Sequence, residues 1–209
     1  MQLDDVPVSA VAFDFGGVLT VPPFAGLEAY AREVGLAPGV LTSLFTGKVM
    51  AQVEVGAMSS RQFFKHVCIE CGVGHGVAVD IHALADAAAE GQRLEPEMLA
   101  LVEEVQQRCA TALLTNNVKE ATWREDFPHH LFDVALDSSA VGVRKPDPAV
   151  YTLLLRRLGR PAPEVAFFDD LETNLPPATA LGIRAVQFTG VDDCRRTLAD
   201  LGVLETVAG

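Results

Sequence analysis

The chain has 209 residues, 49% of them apolar, with a formal net charge of −12 and a sequence pI near 4.7. That length allows one large domain, or one domain carrying an insertion. The acidic balance excludes nucleic acid and anionic membrane surfaces as main partners; it leaves room for a phosphorylated small molecule at a local positive or metal-bearing site.

The N-terminus, "MQLDDVPVSA", has no basic residue ahead of its apolar stretch and carries Asp4 and Asp5, so it does not read as a secretory signal. No apolar run approaches the about 20 residues of a membrane helix. A cytoplasmic protein is expected, with its four cysteines as reduced thiols. The first strand is predicted over 8–13. It ends in "VAFDFGGVLT", where one carboxylate, Asp14, is followed at once by Gly16 and Gly17. Open α/β sheets place their chemistry at such strand ends. An acidic residue opening a turn would look the same in isolation.

Residues 21–91 break the strand–helix rhythm. They predict consecutive helices over 24–34, 40–49, 60–71 and 79–90, entered at Pro22–Pro23 and left through "EGQRLEP". Within them Cys68 and Cys71 are flanked by His66 and His75, a conceivable zinc set. The spacing of Phe63, Phe64, Val67, Cys68 and Cys71 favours a core-facing helix stripe instead. The following "GVGHG" trails a helix rather than a strand, so it reads as a linker and not a phosphate loop.

The rhythm then returns. Strands are predicted over 110–114, 132–136, 165–168 and 183–188. A helix over 96–108 repeats apolar residues at Leu99, Val102 and Val105. Asp147 followed by Pro148 reads as a cap with proline at the first helical position, opening a helix that Gly159 stops. Gly182 ends a further helix before the last strand. Strands alternating with helices predict an α/β fold: a Rossmann-like parallel sheet with helices on both faces. The simplest division is a catalytic core of residues 1–20 and 92–209, with a small helical cap domain, residues 21–91, inserted after the first strand.

The strand ends carry the chemistry. The first ends at Asp14, "TALLTNN" in Thr115, Asn116 and Asn117, and "VAFFDD" in Asp169 and Asp170. Lys145 lies in the turn of "GVRKPDPAVY". A parallel sheet brings these ends to one edge. Carboxylates brought together there repel unless a cation joins them, and oxygen donors suit Mg²⁺ with substrate phosphate. A carboxylate can also attack phosphorus to form an aspartyl-phosphate. Thr115, Asn116 and Lys145 would then hold the remaining phosphoryl oxygens.

The ordered set "FDFGGVLT", "LLTNN", "GVRKPDPAVY" and "VAFFDDLETN" resembles the four motifs of the haloacid dehalogenase-like hydrolase superfamily. It is most similar to the branch holding the phosphatase-like N-terminal domain of soluble epoxide hydrolase. The resemblance covers nearly the whole chain, including the inserted cap. It implies Asp14 as nucleophile and Thr115, Asn116 and Lys145 as ligands of the transferred group. It implies Asp14, Asp170 and the Gly16 carbonyl as Mg²⁺ ligands, with Asp169 adjacent to them or just behind.

Most members of that superfamily carry a second Asp two residues after the nucleophile, as general acid and then base. This chain has Gly16, which keeps a carbonyl for the metal and loses the proton donor. Glu28 and Glu54 of the cap are candidates to replace it by location alone, and water on the metal is the other candidate. The leading expectation is a Mg²⁺-dependent phosphatase acting on a small phosphorylated metabolite. A 2-haloacid dehalogenase is an alternative, because a halide leaves without a proton; the acidic pair Asp169–Asp170 speaks for metal and against it. A catalytically weak phosphate-binding or regulatory protein is the third reading.

Overall fold

The sequence "AVAF" is apolar at every position, which suits a strand buried on both faces of a parallel sheet. In the computed structural model, which describes residues 6–205, it forms β1, Ala10–Phe13, with all four residues buried. The leader reading of residues 1–5 lies outside the described residues. The other strands are β2 (Ala110–Thr115), β3 (Val134–Asp137), β4 (Val165–Asp169) and β5 (Arg184–Gln187). All four pairings are parallel, in the order β3-β2-β1-β4-β5. β1 is therefore central, with Phe13 opposite Leu113 on one side and Phe168 on the other.

Five helices follow β1: α1 (Ala25–Val34), α2 (Val40–Phe45), α3 (Lys48–Glu54), α4 (Ser60–His75) and α5 (Ile81–Glu90). Then come α6 (Pro96–Gln106), α7 (Ser138–Val141), α8 (Pro148–Leu158), α9 (Leu175–Ala180) and α10 (Val191–Asp200). Side chains along a strand alternate between faces. Val11 and Phe13 accordingly pack with Leu101, Val105 and Leu198 of α6 and α10. Ala10 and Ala12 pack with Tyr151 and Leu154 of α8 and Ala178 of α9. Helices thus cover both faces, as the strand–helix alternation predicts.

The inserted helices bury a separate core that includes Leu27, Leu41, Phe63, Val67 and Leu84. Their entry and exit run side by side: Thr20 and Leu94 form an isolated antiparallel bridge, and Val21 N–H donates to the Arg93 carbonyl at 3.0 Å. No part of the insertion enters the five-stranded sheet. Two local expectations need correction. The helix predicted over 40–49 is broken: α2 ends at Phe45, and Gly47 in extended conformation opens α3. Glycine is a poor helix interior residue, and here it serves as the break. The "GVGHG" stretch is not a linker. α4 runs through it to His75 and stops at Gly76, whose left-handed backbone donates to Cys71 and Gly72 carbonyls. Val77 packs on the helical core just beyond, the apolar contact that accompanies such a stop. Cys71 is buried in that same core, on the apolar stripe.

The cap of α8 is as the sequence predicts. Asp147 accepts from Ala149 N–H at 2.9 Å, Pro148 occupies the first turn, and Gly159 ends the helix with φ 65°. Among the described residues no helix is long and apolar enough to cross a membrane.

Candidate active site

The carboxyl ends of β1, β2 and β4 meet at one edge of the sheet, and the strand-end residues meet with them. Asp14 extends the ladder by one bond, donating its N–H to the Phe168 carbonyl at 2.9 Å. The residue is 6% exposed. Oδ1 accepts from Phe15 N–H at 2.6 Å and sits 2.6 Å from Lys145 Nζ. Phe15 points the other way, onto Trp123 with ring centroids 4.3 Å apart, and so anchors the turn after Asp14.

Lys145 is 1% exposed and bridges two carboxylates, with Nζ also donating to Asp169 Oδ2 at 2.6 Å. Asn116 holds the lysine's backbone. Its side-chain oxygen accepts Lys145 N–H at 2.8 Å and its amide donates to the Lys145 carbonyl at 3.0 Å. The side-chain oxygen and one of the two amide N–H groups are therefore directed at the lysine loop. Asp169 is fully buried and equally occupied: Oδ1 accepts from Leu171 N–H and Asn174 Nδ2, both at 2.9 Å. Tyr151 in turn donates to the Asn174 carbonyl at 2.6 Å. Thr115 ends β2 with its hydroxyl buried and unpaired among the described residues.

Oxygens of Asp14, Asp169 and Asp170 lie within 4.8 Å of one another. Burial pushes the Asp14 carboxyl up, to about 7; Lys145 opposes the rise and Asp169 adds to it. Burial and then Asp169 push Asp170 to about 6. Burial pulls Lys145 down, but Asp14 and Asp169 outweigh it and the net direction is up. Three carboxylates against one ammonium leave an excess of negative charge, which is the donor chemistry a hard divalent cation fits. Asp14 meets its protein partners through Oδ1, and the Asp170 carboxylate lies against Gly17.

Gly17 has φ +75°, and a Cβ there would lie 2.4 Å from Asp170 Oδ2. Both facts demand glycine. Gly17→Ala is expected to lower stability by about 1–2 kcal/mol, the cost of a side chain in a left-handed backbone, and to displace Asp170. Urea unfolding measures it; an unchanged midpoint would refute the constraint. Gly16 differs. Its backbone is not left-handed, and a Cβ would meet only Pro23, at 3.8 Å. Space does not dictate glycine at position 16.

A cavity of about 310 Å³ opens onto Asp14, Gly16, Lys145 and Asp170, and extends beneath the inserted helices. The structure separates the two cap carboxylates. Glu28 accepts from Gly39 N–H and the Thr42 hydroxyl, so it caps α2 away from the cavity, and those bonds lower its pKa. Glu54 lines the cavity and pairs with Arg144 at 2.6 Å, while burial raises its carboxyl above the usual range. Asn174 and Arg144 are site residues that sequence reasoning missed. The only signal for Asn174 was its place in "DDLETN".

A family model of haloacid dehalogenase-like hydrolases matches residues 8–182. The chain is 30% identical to the phosphatase MT3486 of Mycobacterium tuberculosis, covering 97% of this chain and 99% of that one. It is 29% identical to the bifunctional epoxide hydrolase 2 of Sus scrofa over 90% of its length, and spans only 38% of that longer protein. Among solved structures, a haloacid dehalogenase family enzyme from Bacteroides thetaiotaomicron, in complex with magnesium and inorganic phosphate, superposes with a TM-score of 0.69 at 20% identity, covering 87% of this chain and 94% of that one. The L-2-haloacid dehalogenase PA0810 superposes at 0.63 and 25% identity, covering 87% and 85%. The family model spans β1 to β4, the insertion and each strand-end residue described above, and the chain belongs to the haloacid dehalogenase-like hydrolases.

Proposed function

We propose that this hydrolase is a magnesium-dependent phosphatase acting on a small phosphorylated metabolite through an aspartyl-phosphate. The observation that carries the reading is the Asp14–Lys145–Asp169 chain of contacts at 2.6 Å beside Asp170. A carboxylate held in one orientation, with an ammonium next to it, suits attack on phosphorus. Asp14 forms the new P–O bond, and the ester oxygen leaves with its electron pair. Water then cleaves the acyl phosphate and restores Asp14. Lys145 neutralises one phosphoryl oxygen, and the unpaired Thr115 hydroxyl offers a donor to another. Asn116 contributes by fixing the lysine loop, and its own position at the end of β2 faces the cavity.

Asp14, Asp170 and the Gly16 carbonyl would hold magnesium, and a bound magnesium would neutralise phosphate and nucleophile together. Asp169, with its oxygens already taken by Lys145, Asn174 and Leu171, orients the lysine from behind. Residues 21–91 act as the cap that shields the site from water. The Glu54–Arg144 ion pair links this insertion to the core beside the cavity. A cytoplasmic location belongs to the same reading, supported by four free cysteines.

The test is a screen of phosphorylated metabolites with Mg²⁺ and with EDTA, Asp14→Asn serving as control. Turnover is expected only with metal. Magnesium should also raise the melting temperature, since a ligand bound only by the folded state stabilises it. Asp170→Asn should abolish that rise. Activity that survives exhaustive EDTA treatment points instead to the dehalogenase chemistry. Phosphate binding without turnover points to a regulatory protein.

A further inference from the structure

Away from the carboxylates, the cavity wall is built from Phe24, Leu27, Phe45, Met50, Phe63 and Phe64 of the inserted helices. Three of the rings form one cluster. Phe45 meets Phe63 edge-on at 4.9 Å, and Phe64 lies 6.1 Å from Phe45 and 6.0 Å from Phe63. Several polar side chains on the wall are already engaged within the protein. The Thr46 hydroxyl donates to the Thr42 carbonyl, the Ser60 hydroxyl to Glu120, and Glu54 is paired with Arg144. A leaving group rich in hydroxyls would lose its water here for few partners, at a cost of about 1–3 kcal/mol for each unpaired group. An apolar ring finds aromatic edges and faces instead.

Gly16 is a second, independent constraint. The position lines the cavity beside Asp14 and carries no proton donor. Glu54 is the cap carboxylate on the wall, and it is committed to Arg144. A leaving oxygen that must take a proton as its bond breaks is disfavoured in such a site. One that departs as a delocalised anion is not.

We propose that the substrate is an aryl phosphate: a monoester of an apolar phenolic alcohol, its ring against the Phe45–Phe63–Phe64 cluster and its phosphoryl group at Asp14. The inference rests on the phosphatase reading and names its substrate class. In the first step an Asp14 oxygen bonds to phosphorus and the P–O(aryl) bond breaks. The electron pair leaves on the phenoxide, which takes its proton from water after departure.

The experiment compares kcat/KM for 2-naphthyl phosphate, n-octyl phosphate and glucose 6-phosphate with Mg²⁺, with single-turnover rates to isolate chemistry. The naphthyl ester is expected to exceed both others by at least about 10²-fold, the lower end of what a general acid supplies. Gly16→Asp should narrow the naphthyl-to-octyl ratio by restoring a donor. Phe64→Asn should raise KM for the naphthyl ester by about tenfold. Octyl phosphate turned over as fast as naphthyl phosphate overturns the aryl assignment, and so does octyl activity that Glu54→Gln abolishes, because Glu54 then supplies the proton. Glucose 6-phosphate matching the naphthyl ester refutes this inference alone and leaves a phosphatase. No hydrolysis of any monoester refutes the phosphatase reading, and the inference with it.

Discussion

Asp14→Asn is expected to reduce turnover by about 10⁴-fold or more, the scale on which losing a covalent nucleophile operates, while the protein stays folded. Asparagine keeps the shape and an oxygen for the Phe15 N–H, which Asp14 holds at 2.6 Å. Lys145 keeps Asp169 as a partner at 2.6 Å. The amide removes a carboxylate whose burial already drives it toward the neutral form, so the melting temperature should be unchanged or higher. An amide cannot form the aspartyl-phosphate. Wild-type turnover in a purified variant would remove covalent catalysis by Asp14 from consideration.

Lys145→Met should act on stability as much as on activity. The ammonium is 1% exposed and touches two buried carboxylates, Asp14 and Asp169. Removing one partner of a buried ion pair strands the rest, at a typical cost of about 3–5 kcal/mol. The urea midpoint should fall accordingly, and turnover should be lost with it. Adding Asp169→Asn to Lys145→Met should recover part of the stability, because the stranded charge is gone, but none of the turnover. A shift under about 1 kcal/mol in the single variant would mean the three side chains are more hydrated than their burial implies.

The residues at the sheet edge were legible because each closes an apolar run. Asp14 ends "VAF", Thr115 ends "TALL", and Asp169–Asp170 end "VAFF"; a parallel sheet then does the rest. α8 was legible from Asp147–Pro148, since capping is local. What the sequence hid is how each polar side chain spends its bonds. Nothing local says that the Asn116 amide turns back to the Lys145 backbone, or that Asn174 and Lys145 occupy Asp169. The Asn116 and Lys145 contacts join segments 29 and 24 residues apart, the Asn174 contact depends on the shape of the turn after β4, and any of the three side chains could equally have faced substrate. The same limit separated Glu28 from Glu54 only in the folded chain: one is drawn off by Gly39 N–H, a contact eleven positions away, and the other is carried over the cavity by α3. The helix boundaries erred for a different reason. Gly47 breaks a helix while Gly72 and Gly74 lie inside one, because tertiary packing around Phe63, Val67 and Cys71 outweighs the propensity of glycine at the exposed end of α4.

The central place of β1 has a consequence for how the molecule is assembled. Ala10 pairs with Ala110 on one side and with Val165 on the other. During synthesis the strand bearing Asp14 emerges first, yet both of its edges wait for chain made much later. The inserted helices contact mainly one another, so they can condense early and hold the strand's successor, Thr20, against Leu94. Non-local pairing is the slow part of folding. A nascent chain that has completed β3 but not β4 presents "AVAF" with one edge open, an apolar template for another copy. The same placement that gathers the strand-end residues from Asp14 to Asp170 makes the interval between β3 and β4 the stage at which misassembly is most exposed.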